Sequence, residues 1–265
     1  VVAELMHAGH EVIGLARSDT SAAALAAVGA DVQRGALDDL DSLRLGAASA
    51  DGIIHLAFVH DFSNFDDALT TDLHAVETMG AALEGSGKPF VIPAHRNGEA
   101  SERVVIALAE RGVRTSVVSL APSVHGPADR HGFIPGLINI ARERGVSAYV
   151  GDGSNRWPAV HERDAAHLLR LVLETAPSGS LWRGVGDEGV PFKQISQVIG
   201  RHLNVPAVSI AQAEAAAHFG FLGALASLDI PQSSAETRER LGWRPIHPGL
   251  IADLEAGFYF DRRAA

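Results

Sequence analysis

The sequence contains no cysteine. That absence excludes disulfides, thiolate metal sites and a cysteine nucleophile, and it is compatible with a reducing compartment. Tyrosine is scarce as well, with two residues, Tyr149 and Tyr259. Positive charge is short: 22 Lys and Arg against 32 Asp and Glu leave a net charge of −10. Neutralising a phosphate backbone needs clustered cations, so nucleic acid is not an expected partner. No apolar run approaches the roughly 20 residues of a membrane span, so no membrane partner is expected either. Val1 to Leu5 lack the basic start of a secretory signal and read as the middle of a helix. The expected location is cytoplasmic.

What is present is a globular composition. Across 265 residues, 46% are hydrophobic and 20% charged, enough for one large α/β domain or a nucleotide domain with a small lobe. The first half alternates two patterns. Helices are predicted over residues 1–8, 22–28, 40–48, 65–83 and 99–111, with Gly9 and Gly112 as stops. Asn64 is the expected cap of the long helix, with Asp66 and Asp67 in its first turn. Short segments between the helices, at 11–16, 31–34, 52–57, 89–92 and 115–120, read as strands, the first of them an apolar, buried run. Such alternation predicts a doubly wound parallel sheet of the Rossmann type. Past Pro122 helices dominate, over 134–144, 163–174, 192–203, 211–219, 234–241 and 248–258. Short strands are expected at 148–150 and 181–185.

Several segments resemble the extended short-chain dehydrogenase/reductase family, also known as the NAD-dependent epimerase/dehydratase family. They are AGHEVIGLARSD at 8–19, DGIIHLAF at 51–58, LAPSVHGP at 120–127, WPAVHERDAAHLL at 157–169, GVGDEGVPF at 184–192 and LGWRP at 241–245. Their order and spacing cover nearly the whole chain. The resemblance implies an NAD(P)-binding Rossmann domain over 1–125. A smaller, mainly helical substrate lobe would follow over 126–265, partly interleaved with the sheet through 157–185. The family opens with a strand and a glycine-rich turn, so roughly 10–20 residues are expected ahead of Val1.

The resemblance also places a cofactor site. After the second family strand, Arg17 offers a guanidinium fork and Ser18 a hydroxyl, which suit the extra phosphate of NADP. Asp19 could instead take the ribose hydroxyls of NAD, which stays the alternative. Leu37 and Asp38 would flank the adenine, although Asp38 also reads as a helix cap. Leu56, Ala57 and Phe58 would lie along the ribose and pyrophosphate, with Leu56 packing into the core in any case. Pro122, Ser123 and Val124 would meet the nicotinamide carboxamide. His125, Phe133, Arg156 and Trp157 are implied to line a substrate pocket, although a lone histidine such as His125 is more often structural than catalytic.

The family's catalytic Tyr-x-x-x-Lys is missing. Gly98 falls near the tyrosine position, Ser101-Glu102 replaces the closing Ser-Lys, and neither tyrosine has a lysine at the right offset. The catalytic acid is therefore unassigned. Three readings remain open: an atypical NAD(P)-dependent oxidoreductase or epimerase that transfers hydride between nicotinamide and a small carbonyl, alcohol or sugar-like substrate, a non-catalytic NADP sensor like the NmrA-type relatives, and a purely structural paralogue. The expected partner is a small-molecule substrate, with room for a homodimer through helix 65–83.

Among the 13 histidines no His-x-x-x-His and no tight His/Asp cluster is visible, so no metal is expected. His55, His60, His125, His131 and His161 are those that could approach a cleft. GVGDEG at 184–189 matches a dinucleotide fingerprint on paper, but its acids would repel a pyrophosphate and it lies outside the βαβ alternation. His161 and Asp164, at the start of a helix, read as structural.

Overall fold

A computed structural model describes residues 1–59, 64–94 and 98–261. In chain order the first elements are α1 (Val2–His7), β1 (Ile13–Ala16), α2 (Asp19–Ala27), β2 (Asp31–Arg34), α3 (Leu40–Ser49) and β3 (Ile53–Ile54). Then come α4 (Phe65–Ala82), β4 (Pro89–Pro93), α5 (Glu99–Leu108), β5 (Arg114–Leu120), β6 (Ser123–His125), α6 (Phe133–Arg144), β7 (Ser147–Val150) and β8 (Arg156–His161). The chain continues through α7 (Glu162–Thr175), β9 (Ser180–Gly184), β10 (Asp187–Pro191), α8 (Phe192–Leu203) and β11 (Ala207–Ile210). It closes with α9 (Ala215–Phe219), α10 (Gly223–Ala226), α11 (Ala235–Leu241) and α12 (Leu250–Glu255). None of the described helices is long and apolar enough to cross a membrane.

The chain forms two compact units. Unit 1 comprises residues 1–119 and 166–182; unit 2 comprises 120–165 and 183–265.

Unit 1 carries the predicted parallel α/β pattern. Its strands run in the order β3-β4-β5-β9, with β3–β4 and β4–β5 parallel, beside a separate parallel pair β1–β2. The core is built from Val76, Met79, Phe90, Ile92, Val105, Leu108 and Val117. Helix α4 buries Ala68, Asp72, Ala75, Val76, Met79 and Gly80, a 3–4 residue spacing that presents one face. Gly80 lets α5 come close, because a Cβ there would stand 2.2 Å from Leu108 Cδ1. The Asn64 side chain makes no capping bond, so the two acids of the first turn act on the helix end through charge alone.

Several expected boundaries move. Helix α2 begins at Asp19, three residues before the apolar pattern, because Ser18 caps it and accepts from the Ser21 amide. The predicted strand 52–57 shrinks to β3, with one more rung from the His55 amide to the Val91 carbonyl.

Unit 2 is richer in strand than its sequence pattern suggested. β10-β8-β6 form one sheet, parallel between β6 and β8 and antiparallel between β8 and β10. β7 and β11 pair in parallel. Four of these strands, β6, β8, β10 and β11, were not predicted: each is only three to six residues long, and neighbours distant in sequence hold it. Helix α8 matches its prediction, 192–203. The expected helix 211–219 is a 3₁₀ turn followed by α9, and 248–258 contracts to α12. The GVGDEG segment runs from the last residue of β9 through a turn at 185–186 into the start of β10.

Candidate functional site

In unit 1 the residues selected from sequence follow the carboxyl ends of β1, β2 and β3 in the chain. Ala16, 1% exposed, closes β1 and lies opposite Arg34 at the end of β2. Arg17 follows at the surface and has no ion pair or hydrogen bond among the described residues. The Ser18 hydroxyl is engaged locally, accepting from the Ser21 amide at 3.1 Å and lying 3.0 Å from the Ser21 hydroxyl. Asp19 forms an ion pair with Arg34. Sequence reasoning missed Arg34; its place as the last residue of the strand after β1 was the available signal.

Leu37 is half-buried and packs against the unit 1 core, while Asp38 is exposed. The cap of α3 is Asp39, which accepts from the Ser42 amide at 3.2 Å. The helix begins at Leu40, so the cap position falls one residue later than expected. Leu56 does not pack into the core: it is 42% exposed, and Ala57 is exposed beside it. The strand has already ended there, so these side chains leave the sheet. Phe58 is half-buried, its ring 5.9 Å from that of Phe65.

Where the family keeps Ser-Lys on α5, this chain has built something else. The Ser101 hydroxyl donates to Asp72 Oδ2 at 2.7 Å, and His55 Nε2 lies 3.0 Å from Asp72 Oδ1. All three side chains are buried. Glu102 has its carboxyl pushed above the ordinary value by burial, with the charge of Glu99 adding to it. Gly98 is the residue just ahead of the helix. Residues 95–97 and His60 lie outside the described residues.

In unit 2 the sequence picks meet mixed outcomes. Ser123 is buried, its hydroxyl without a partner among the described residues, while Pro122 and Val124 are half-buried. Trp157 does not line a pocket: it is 0% exposed, stacks edge-on against Phe192 at 4.8 Å and donates its indole N–H to the Leu225 carbonyl. Phe133, half-buried, leans on that same indole at 6.1 Å. Arg156 is exposed, but its guanidinium is clamped by both carboxylate oxygens of Asp229, at 3.0 and 2.9 Å. β8 places Trp157 and Arg156 on opposite faces, so neighbours in sequence have opposite surroundings.

His125 is 0% exposed, its Nδ1 donating to Asp253 Oδ2 at 2.7 Å. The parallel register sets His161 beside it on β8, and His247 stacks on His161 at 4.7 Å. A His/Asp cluster therefore exists although none was visible in sequence, because residues 125, 161, 247 and 253 meet only through the fold. Among the described residues, no group of three or more His, Cys, Asp or Glu is placed to hold a metal ion. Asp164, expected as a helix-start charge, accepts from the amides of Ile246 and His247 and from the His247 ring.

No family model matches the chain. Two fungal proteins do: uncharacterized protein C2A9.02 of Schizosaccharomyces pombe, 43% identical with 98% of this chain and 95% of the relative covered, and uncharacterized protein YLL056C of Saccharomyces cerevisiae, 43% identical over 97% and 94%. Among solved structures, a double mutant of the dTDP-glucose 4,6-dehydratase DesIV from Streptomyces venezuelae, with NAD bound, superposes with a TM-score of 0.77. It is 17% identical, over 99% of this chain and 93% of that one. A UDP-glucose 4-epimerase from Thermotoga maritima gives 0.75 at 15% identity, over 98% and 93%.

Proposed function

This chain belongs to one family with the two yeast proteins, a family built on the extended short-chain dehydrogenase/reductase fold, and from that premise we propose that it binds NADP and transfers hydride to or from a small carbonyl, alcohol or sugar-like substrate. The residues of unit 1 fit such a cofactor. Leu56 and Ala57 offer exposed apolar surface directly after a parallel strand, where an open α/β sheet takes its ligand. Arg17 and Ser18 stand after β1 with a charge and a hydroxyl for phosphate.

One observation carries the choice of NADP over NAD. Asp19, the acid that would hold the ribose hydroxyls of NAD, is paired with Arg34, whereas Arg17 has no described partner. A carboxylate already held by a guanidinium is a poor ribose acceptor, and an unengaged guanidinium is a ready phosphate donor. When bound, the cofactor supplies the hydride; the chain's own residues hold it and position the substrate.

The test is titration with NADPH and NADH, followed by Arg17→Glu. Tighter binding of NADPH, lost in the variant, is the expected result. Unchanged NADPH affinity in the variant would remove Arg17 from the site.

A second reading rests on α5. Its Ser101 is tied to Asp72 and its Glu102 stands where a lysine would serve the reaction. This favours a cofactor-binding module without turnover. NADPH binding with no oxidation by a panel of small carbonyls would select that reading.

A further inference from the structure

Unit 2 holds a polar cluster, three of its four members buried, that neither reading uses. His125 ends β6, His161 ends β8, His247 precedes α12, and Asp253 lies within that helix. The His125 and His161 rings meet edge to face at 5.6 Å, and His161 lies nearly parallel to His247, 14° between planes.

The hydrogen bonds settle where the protons are. His161 Nδ1 accepts the Arg163 amide N–H at 3.1 Å. A ring nitrogen that accepts carries no proton, so uncharged His161 has its hydrogen on Nε2. That nitrogen lies 3.7 Å from Asp253 Oδ2, the same oxygen that receives the His125 Nδ1–H. His247 in turn donates from Nδ1 to Asp164 at 2.8 Å.

We propose that this cluster is an acid-sensitive clasp: with His161 uncharged it fastens residues 246–260 to the ends of β6 and β8, and protonation of His161 loosens the hold. A second proton on His161 can go only to Nδ1. There it faces the Arg163 N–H, two donors opposed, and the bond that anchors the first turn of α7 breaks. The new charge also falls between two other imidazoles in a site 6% exposed to water.

The surrounding charges divide. Asp253 on α12 and Glu162 on α7 favour a cation, although Asp253 already serves His125. His125 from β6 and His247 oppose it. Asp164 is occupied by the 246–247 segment, Asp187 from β10 by the Leu250 amide, and Asp129 by the Tyr259 hydroxyl. Arg163 is exposed. Burial prevails and holds the His161 imidazole below its ordinary value of 6.5.

The sign follows. A released His161 regains the ordinary value, so the released state binds more protons than the clasped one. Clasping is complete above about pH 6.5 and weakens as pH falls from there towards the depressed value. Leu250 and Leu254 are 0% exposed, so opening is a brief excursion of the segment rather than its loss from the core.

The experiment is hydrogen–deuterium exchange on the nucleotide-free protein at about pH 7.5 and 5.5, corrected for intrinsic exchange. Protection of 246–260 should fall several-fold at the lower pH. In His161→Asn the amide oxygen can still take the Arg163 N–H but cannot titrate, and the pH effect should vanish. Equal protection at both pH values, or a variant as acid-sensitive as the parent, would overturn the clasp. Should that variant not fold, ring-nitrogen NMR on the parent decides: His161 titrating at or above 6.5 also overturns it, and titration below 6.5 with a bare Nδ1 supports it.

Discussion

His55 Nε2 lies 3.0 Å from Oδ1 of Asp72, and the two side chains are 5% and 2% exposed. The other oxygen of Asp72 takes the Ser101 hydroxyl. One carboxylate thus joins the end of β3, the middle of α4 and the start of α5. Removing it strands a buried imidazole and a buried hydroxyl together. Asp72→Ala should cost about 3–5 kcal/mol, as for breaking a buried pair from one side. Asp72→Asn, which keeps an acceptor, should cost less. Urea denaturation measures both, and an alanine variant of parental stability would show the bonds to be incidental.

Unit 1 should also have an acid limb of its own. Glu4 is held below 4.5, chiefly by its hydrogen bond from Arg170; burial opposes, and His167 helps. For Glu174 burial again pushes upwards, but bonds from His10 and Arg170 outweigh it and its carboxyl is lowered too. Depressed carboxyls stabilise the fold above their unfolded value, and that contribution disappears as pH falls through the folded one. Glu4→Gln should therefore lower Tm near neutral pH and have little effect at about pH 3. Equal losses at both would assign its effect to packing.

Arg34→Ala bears on the cofactor choice from the opposite side to Arg17. It releases Asp19 from its ion pair. The freed carboxylate can meet ribose hydroxyls and repel a phosphate, so the preference should move towards NADH. The ratio of NADPH to NADH dissociation constants in parent and variant reads this directly. An unchanged ratio would mean that Asp19 does not reach the cofactor.

Ser18→Ala separates two uses of one hydroxyl. As the cap of α2 its loss should cost about 1 kcal/mol. If the hydroxyl also serves phosphate, NADPH affinity falls with it. Thermal melts and titrations on the same preparation distinguish the cap alone from the double role.

Trp157 and Arg156 are adjacent and should behave oppositely. Trp157→Ala removes a fully buried indole and should cost about 3–5 kcal/mol. Arg156→Ala breaks a solvent-exposed clamp with Asp229 and should change stability little. Chemical denaturation of the two variants checks the contrast.

Local pattern was enough for much of unit 1. Its helices and parallel strands were legible because segments of four to six residues alternating with helical ones admit few alternatives, and because glycines such as Gly9, at φ +92°, mark the stops. Arg17, Ser18 and Asp19 could be singled out because all three fall within a few residues of one strand end. The same sequence could not show that Asp19 is spent on Arg34, that Leu56 turns outward, or that Asp39 rather than Asp38 caps α3. Each of these depends on where an element stops, a matter of one or two residues that tertiary packing decides.

By itself the sequence determined the alternation of parallel strands and helices, the absence of thiol chemistry and the loss of the tyrosine–lysine pair. Those are properties of composition and short spacing. Only the tertiary structure decided which polar groups meet: His125 with Asp253, His161 with His247, His55 with Asp72 and Ser101. Residues 17 to 128 positions apart become neighbours through strand register and helix packing, and no local periodicity encodes such a meeting.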